Sequence, residues 1–204
     1  MVMAVQFLSS VLLFALLSRV HCDGAIKGLD QSEDGSSGTI SFKTPELDDE
    51  DAYSFHMPSS LKCDGCRVLA HMMYTKFDKI HKNRPSMKTL PEHEILDIFE
   101  SVCEDKFENC GVKDIKGVKR LSGPGLETAD VPGVMQGGGK WPSRLQQMCQ
   151  NYVGELGEEE IYQAYKEHGK QLEKYLCYGD GVQGDCSSLN KTKKKKAKKS
   201  KEEL

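Results

Sequence analysis

Cys63-Asp-Gly-Cys66 is the pair of side chains in this sequence whose type and spacing best match known chemistry. Cysteines three residues apart lie on one face of a helix. Amide dipoles at a helix start lower a thiol pKa, which is what thiol–disulfide exchange uses. No βαβ pattern surrounds the motif, so a thioredoxin-like domain is not expected. An internal Cys63–Cys66 bridge would also leave Cys177 and Cys186 to pair only with each other. The default expectation is structural pairing, with weak thiol–disulfide oxidoreductase activity through Cys63 and Cys66 as the alternative. No nucleophile–base arrangement, phosphate loop or paired-carboxylate motif rises above background, so no other enzyme class and no cofactor are expected. His71, His81 and His168 read as solvated or packed side chains, and an oxidising compartment disfavours zinc on the cysteines. No metal site is expected.

Four helical segments must position these cysteines. From about Ser59 to Lys82, one stripe contains Leu61, Leu69, Met72, Met73, Phe77 and Ile80, with Ser59 or Ser60 as the expected cap and Pro85 as the stop. Around Pro91–Glu108, Ile95, Ile98, Phe99, Val102 and Phe107 recur at helical steps. Pro91 suits a first turn, and Glu92 and Glu94 complement the dipole. Pro142–Leu156 and Glu158–Cys177 repeat the pattern. These apolar faces are expected to be core. Gly111–Lys140 holds eight Gly and two Pro without a clear period, so it is expected to be a long irregular insertion with turns at Gly123-Pro124-Gly125 and Gly137-Gly138-Gly139. Trp141 at its boundary is expected to pack.

The flanks indicate a compartment. Val5–Leu17 is a short apolar run followed by polar sequence, as in a secretory signal peptide over 1–22 that would take Cys22 away on cleavage. No later stretch approaches the roughly 20 apolar residues of a membrane span. Residues 23–57 are rich in Gly, Ser and acid and are expected to be a disordered acidic linker, with Pro45–Asp51 as a solvated charge run rather than a calcium site. The chain ends in Lys201-Glu202-Glu203-Leu204, one methylene from the Lys-Asp-Glu-Leu retrieval signal. Leader and tail together point to the endoplasmic reticulum lumen and a retrieval receptor, with secretion of a fraction compatible. The Lys run from Lys191 in the 187–204 tail reads as a self-repelling spacer, and Asn190-Lys191-Thr192 is a glycosylation sequon.

The formal net charge of −3 over 204 residues conceals this division. Residues 1–22 carry +1 and residues 191–204 carry +6, which leaves −10 for the body. An acidic body argues against a nucleic-acid partner.

Removing Cys22 leaves Cys63, Cys66, Cys103, Cys110, Cys149, Cys177 and Cys186. In an oxidising lumen an even set of them should pair. Six paired cysteines allow fifteen connectivities, among which spacing does not choose. Cys103 and Cys149 share the apolar stripes of successive helices, which makes them natural partners.

An early Cys-x-x-Cys, two cysteines in middle helices and two at the end resemble a saposin-like domain. More specifically, Leu47-Asp-Asp-Glu, Tyr53-Ser, His56-Met-Pro58, Cys63-Asp-Gly-Cys66-Arg67, Val118-Lys-Arg-Leu-Ser-Gly-Pro-Gly125, Trp141-Pro142 and Tyr152-Val-Gly-Glu155 resemble the marginal zone B and B1 cell-specific protein family, relatives of the canopy proteins. The likeness covers about Leu47–Cys186 and the retrieval tail. It implies an all-α, disulfide-stapled domain over 58–186 of four main helices, with 111–140 inserted. It also implies the pairs Cys63–Cys186, Cys66–Cys177 and Cys103–Cys149. The long Lys tail and Cys110 depart from the family pattern, and Cys110 is left as a free or client-capturing thiol. The function the resemblance implies is that of a lumenal co-chaperone for immunoglobulin heavy and light chains. It would work with lumenal heat-shock chaperones, promote antibody assembly and secretion, and influence calcium stores. Lipid binding by a saposin-like fold is a weaker reading for so acidic a body.

Overall fold

A computed structural model of the chain describes residues 42–179 and 184–187. The leader over 1–22, the linker up to residue 41, Asn190 and the retrieval residues Lys201, Glu202, Glu203 and Leu204 lie outside the described residues.

The described chain runs α1 (Asp49–Tyr53), α2 (Lys62–Asn83), α3 (Glu92–Cys103), β1 (Gly111–Ile115), β2 (Val118–Ser122), β3 (Met135–Gly137), α4 (Trp141–Leu156), α5 (Glu158–His168), a 3-10 turn over Gly169–Gln171, and α6 (Leu172–Cys177). Helix α2 is central and packs on α3, α4 and α6, while α3 also packs on α4 and α5. Its stripe of Leu69, Met73 and Phe77 is wholly buried. The Phe77 ring meets Phe99 edge-on with centroids 5.6 Å apart and lies 5.2 and 5.0 Å from Tyr162 and Tyr165. An aromatic at such a site contributes roughly 3–5 kcal/mol against truncation to Ala. Tyr162 ties the layer to the loop after α2, since its hydroxyl accepts the Leu90 N–H at 2.8 Å and lies 3.0 Å from His81 Nε2.

Helix ends follow local chemistry with some shifts from expectation. Neither Ser59 nor Ser60 caps α2, and Leu61 occupies that position without a side-chain cap. Pro91 is the extended residue just before α3, with Glu92 and Glu94 in its first turn, and Glu94 closes on Arg84 at the end of α2. The single helix expected over Glu158–Cys177 is broken at Gly169, whose φ of 53° ends α5 before the 3-10 turn and α6.

The all-α expectation is corrected by a three-stranded antiparallel sheet in the segment expected to be irregular. Its order is β2-β1-β3. Strands β1 and β2 form a hairpin closed by Lys116-Gly117, with φ of 56° and 79°, as a two-residue turn matched to strand twist requires. The Gly117 N–H donates to Asp114 Oδ1 at 2.6 Å. Strand β3 returns antiparallel on the other side of β1, with Lys113 opposite Met135 and Gly111 opposite Gly137. A Cβ at Gly111 would lie 2.5 Å from the Gln136 carbonyl oxygen, so only glycine permits this approach. The glycine turns expected at 123–125 and 137–139 are present, with positive φ at Gly125, Gly138 and Gly139.

Part of the stretch expected to be a disordered linker is also built into the fold. Asp48 and Asp51 form a reciprocal capping box on α1, and the Asp51 carboxylate is buried against Lys119 of β2.

Candidate functional site

The Cys63-Asp-Gly-Cys66-Arg67 run opens α2, where the sequence places candidate thiol chemistry. Each of its side chains is engaged in holding another segment. Cys63 is bonded to Cys186 and Cys66 to Cys177, while Cys103 of α3 is bonded to Cys149 of α4. This is the connectivity the family resemblance implies. Cys66, Cys177 and Cys186 are fully buried and Cys63 nearly so. In this form the Cys-x-x-Cys presents no thiol for exchange.

Between the cysteines, Asp64 is buried and accepts from Arg120 Nε at 2.7 Å and Nη2 at 2.8 Å, and from the Leu121 N–H at 3.1 Å. A bidentate guanidinium–carboxylate pair with a third donor is the arrangement that makes a buried charge tolerable. Gly65 faces Met148 of α4, whose Sδ would lie 2.9 Å from an added Cβ, so the glycine permits close helix packing. Arg67 bridges Glu127 and Glu173, each at 2.8 Å.

Arg120 reaches Glu127 as well, so the chain of charges runs Asp64–Arg120–Glu127–Arg67–Glu173. It links α2, the hairpin, the loop after it and α6. Hydrogen bonding to Asp64 holds the Arg120 guanidinium charged. Burial works against the charge of Arg67, but Glu127 and Glu173 outweigh it and raise its pKa. Arg67 in turn holds the Glu127 carboxyl at about 2.

Cys110 is the free cysteine among the described residues, and it is buried against the Gly123 turn. Burial first, and the Asp105 charge second, push its thiol up to about 11. A thiol held protonated and out of solvent is a poor nucleophile, which weighs against capture of clients through it. His71, His81 and His168 stand on different contacts: His71 beside Thr75, His81 stacked on Tyr162 and Tyr165, and His168 stacked on Tyr175. Among the described residues no group of three or more His, Cys, Asp or Glu is placed to hold a metal, and no helix is long and apolar enough to cross a membrane.

Sequence reasoning missed Arg120, Glu127 and Glu173 as partners of the motif. It also missed Lys113, buried on β1, whose ammonium donates to the carbonyls of Thr128, Ala129 and Val131 at 3.0–3.2 Å. Arg144 of α4 was missed too. It is buried, its guanidinium donates to the carbonyls of Glu50 and Ser54, and it stacks 4.4 Å from the Trp141 ring centroid. A charged residue on an apolar helix face, three positions from the lone tryptophan, is the signal that could have found it.

No family model matches the chain. Comparison with curated proteins finds marginal zone B- and B1-cell-specific proteins. The mouse (Mus musculus) protein is 38% identical over 163 residues, covering 75% of this chain and 86% of the relative. The human (Homo sapiens) protein is 39% identical over 160 residues, covering 75% and 84%. The bovine (Bos taurus) protein is 36% identical over the same shares.

Proposed function

The chain belongs to the marginal zone B- and B1-cell-specific protein family, and from that premise we propose that it is a noncatalytic co-chaperone of the endoplasmic reticulum lumen. In this reading it assists immunoglobulin heavy and light chains in folding, assembly and secretion, together with lumenal heat-shock chaperones, and influences calcium stores. Its helical frame is read as saposin-like. The leader, the retrieval tail and the family resemblance supply the compartment and the clients.

The observation that carries the noncatalytic reading is the engagement of the Cys63–Arg67 run. Both sulfurs are bonded to the C-terminal cysteines, and Asp64 and Arg67 hold other segments. A protein that keeps six cysteines paired also suits an oxidising compartment. The alternative, thiol exchange through Cys63 and Cys66, would first require two buried bridges to open.

The test compares antibody assembly in plasma cells lacking the protein with assembly after re-expression. Wild type should restore heavy–light assembly and secretion, and a chain lacking Leu204 should appear in the medium. Mass spectrometry under thiol block should find Cys63 linked to Cys186 and Cys66 to Cys177 during activity. A Cys63–Cys66 bridge that turns over with clients would overturn the noncatalytic reading.

A further inference from the structure

One groove stands apart from the disulfide frame. It lies between α1, strand β3 and the start of α4, has a volume of about 510 Å³, and is walled by Leu47, Ala52, Met135, Gly137–Gly139, Trp141 and Arg144. Strand β3 is an edge of the sheet, hydrogen-bonded to β1 on one side alone. Such an edge carries free N–H and C=O groups that template another strand. Gly138 and Gly139 have open space where side chains would stand, which leaves room for a second backbone.

Three further observations indicate what would lie there. Among the exposed large apolar side chains, Leu47, Tyr53, Phe55, Val134 and Met135 lie on the segments that line or adjoin this groove. Among the described residues, two buried side-chain atoms have no hydrogen-bond partner, Gln136 Oε1 and Arg144 Nη1, and both residues line it. Two cations, Lys140 and Arg144, line the groove beside one acid. Arg144 and Lys140 stand at the start of the 16-residue α4, which has no side-chain cap, and the one acid in the wall, Asp51, is paired with Lys119. A positive helix end and an unpartnered guanidinium nitrogen favour a carboxylate.

We propose that this groove binds an extended apolar peptide strand that pairs with the outer edge of β3 and sets a carboxylate, its C-terminus, against Arg144 and the start of α4. Strand addition supplies affinity through main-chain hydrogen bonds and selectivity through alternate side chains. The identity of this strand as part of a folding client rests on the co-chaperone reading above.

The test uses the full oxidised chain and reads the emission of Trp141, the single tryptophan of the sequence. The probe is a synthetic peptide of alternating valine and threonine with a free C-terminal carboxylate. A saturable shift is expected, weakened about tenfold by amidating the peptide's C-terminus and about tenfold by Val134→Lys with Met135→Lys, since edge lysines oppose strand addition. Methylating alternate peptide nitrogens should abolish the shift, and Leu96→Lys on exposed α3 surface should leave it unchanged. No shift, equal binding of the methylated peptide, or an equal loss with Leu96→Lys overturns the proposal. Restoration of antibody assembly by a Val134→Lys/Met135→Lys chain that no longer binds the peptide overturns the groove as a client surface and leaves the co-chaperone reading intact. Peptide binding by a wild-type chain that fails to restore assembly supports the groove and defeats the co-chaperone reading alone.

Discussion

The helical frame and the sheet of residues 111–137 are fastened to the same five-residue run by opposite means. The frame is held covalently, by the two bridges that start at Cys63 and Cys66 and by Cys103–Cys149. The sheet carries no disulfide, and besides the apolar core it shares with α2 it is held by the guanidinium–carboxylate chain through Asp64 and Arg67. Covalent closure acts chiefly by restricting the unfolded chain, whereas an ion pair acts in the folded state and can be released by protonation. The lesson is that Cys-x-x-Cys spacing here serves as a junction: its cysteines secure one layer, and the residue between them, with the one after, secures another.

The comparison breaks most visibly at the bridges. Replacing Cys103 and Cys149 by Ala opens a loop of 46 residues and is expected to cost about 4 kcal/mol on the chain-entropy account, read as a lower urea midpoint. Removing only the inner Cys66–Cys177 bridge should cost less, about 3 kcal/mol. Its separation of 111 lies inside the outer bridge's 123, so it closes only a short additional loop.

Asp64→Ala comes next. It strips Arg120 of its bidentate partner and the Leu121 N–H of its acceptor, at a cost of about 2 kcal/mol given that Arg120 is partly exposed. Hydrogen exchange should then rise across 118–128 while α2 and α4 stay protected. Equal loss of protection in the helices would show that frame and sheet are not separable.

Lys113→Met removes three charge-assisted bonds to carbonyls and should cost about 1–2 kcal/mol, with faster exchange confined to 128–131. The smallest effect is acid release of Glu127. Its carboxyl is held at about 2 against an ordinary 4.5, so its contribution is complete above pH 4.5 and lost as pH falls towards 2. The side chain is more than half exposed, so screening keeps the effect small. Glu127→Gln should flatten the change in exchange of residues 118–128 between pH 5 and pH 2.5, and an unaltered pH profile would remove Glu127 from the network.

The frame was legible because its signals are long. Phe77 and Phe99 recur on stripes that periodicity finds, and glycines marked the turns. The cysteine pairs came through the family resemblance, since spacing leaves fifteen choices open. The sheet was illegible because its strands have five, five and three residues and bury Lys113 beside Val112, so neither alternation nor hydrophobicity marks them. Lys116-Gly117 between Val-Lys-Asp-Ile and Val-Lys-Arg was a hairpin cue that the surrounding glycines masked. The acid run that opens α1 looked solvated because composition cannot reveal that Asp51 meets Lys119 some seventy residues later. For the candidate groove, the turn glycines, Trp141 and the motif residues Leu47 and Tyr53 were visible in advance, but not their juxtaposition. Its edge strand and its orphaned Gln136 and Arg144 atoms exist only once the sheet has formed.

The outer bridge has a mechanical meaning. Cys63 and Cys186 bring their Cα atoms within 4.7 Å across a separation of 123 residues. A pore or motor pulling on either end would draw in the flanking segments and then meet a knot of two strands. Roughly 400 Å of fully extended chain stays locked behind it, at about 3.3–3.6 Å per residue. Force alone cannot recover that length. Threading the domain for transport or disposal therefore begins with a reductant.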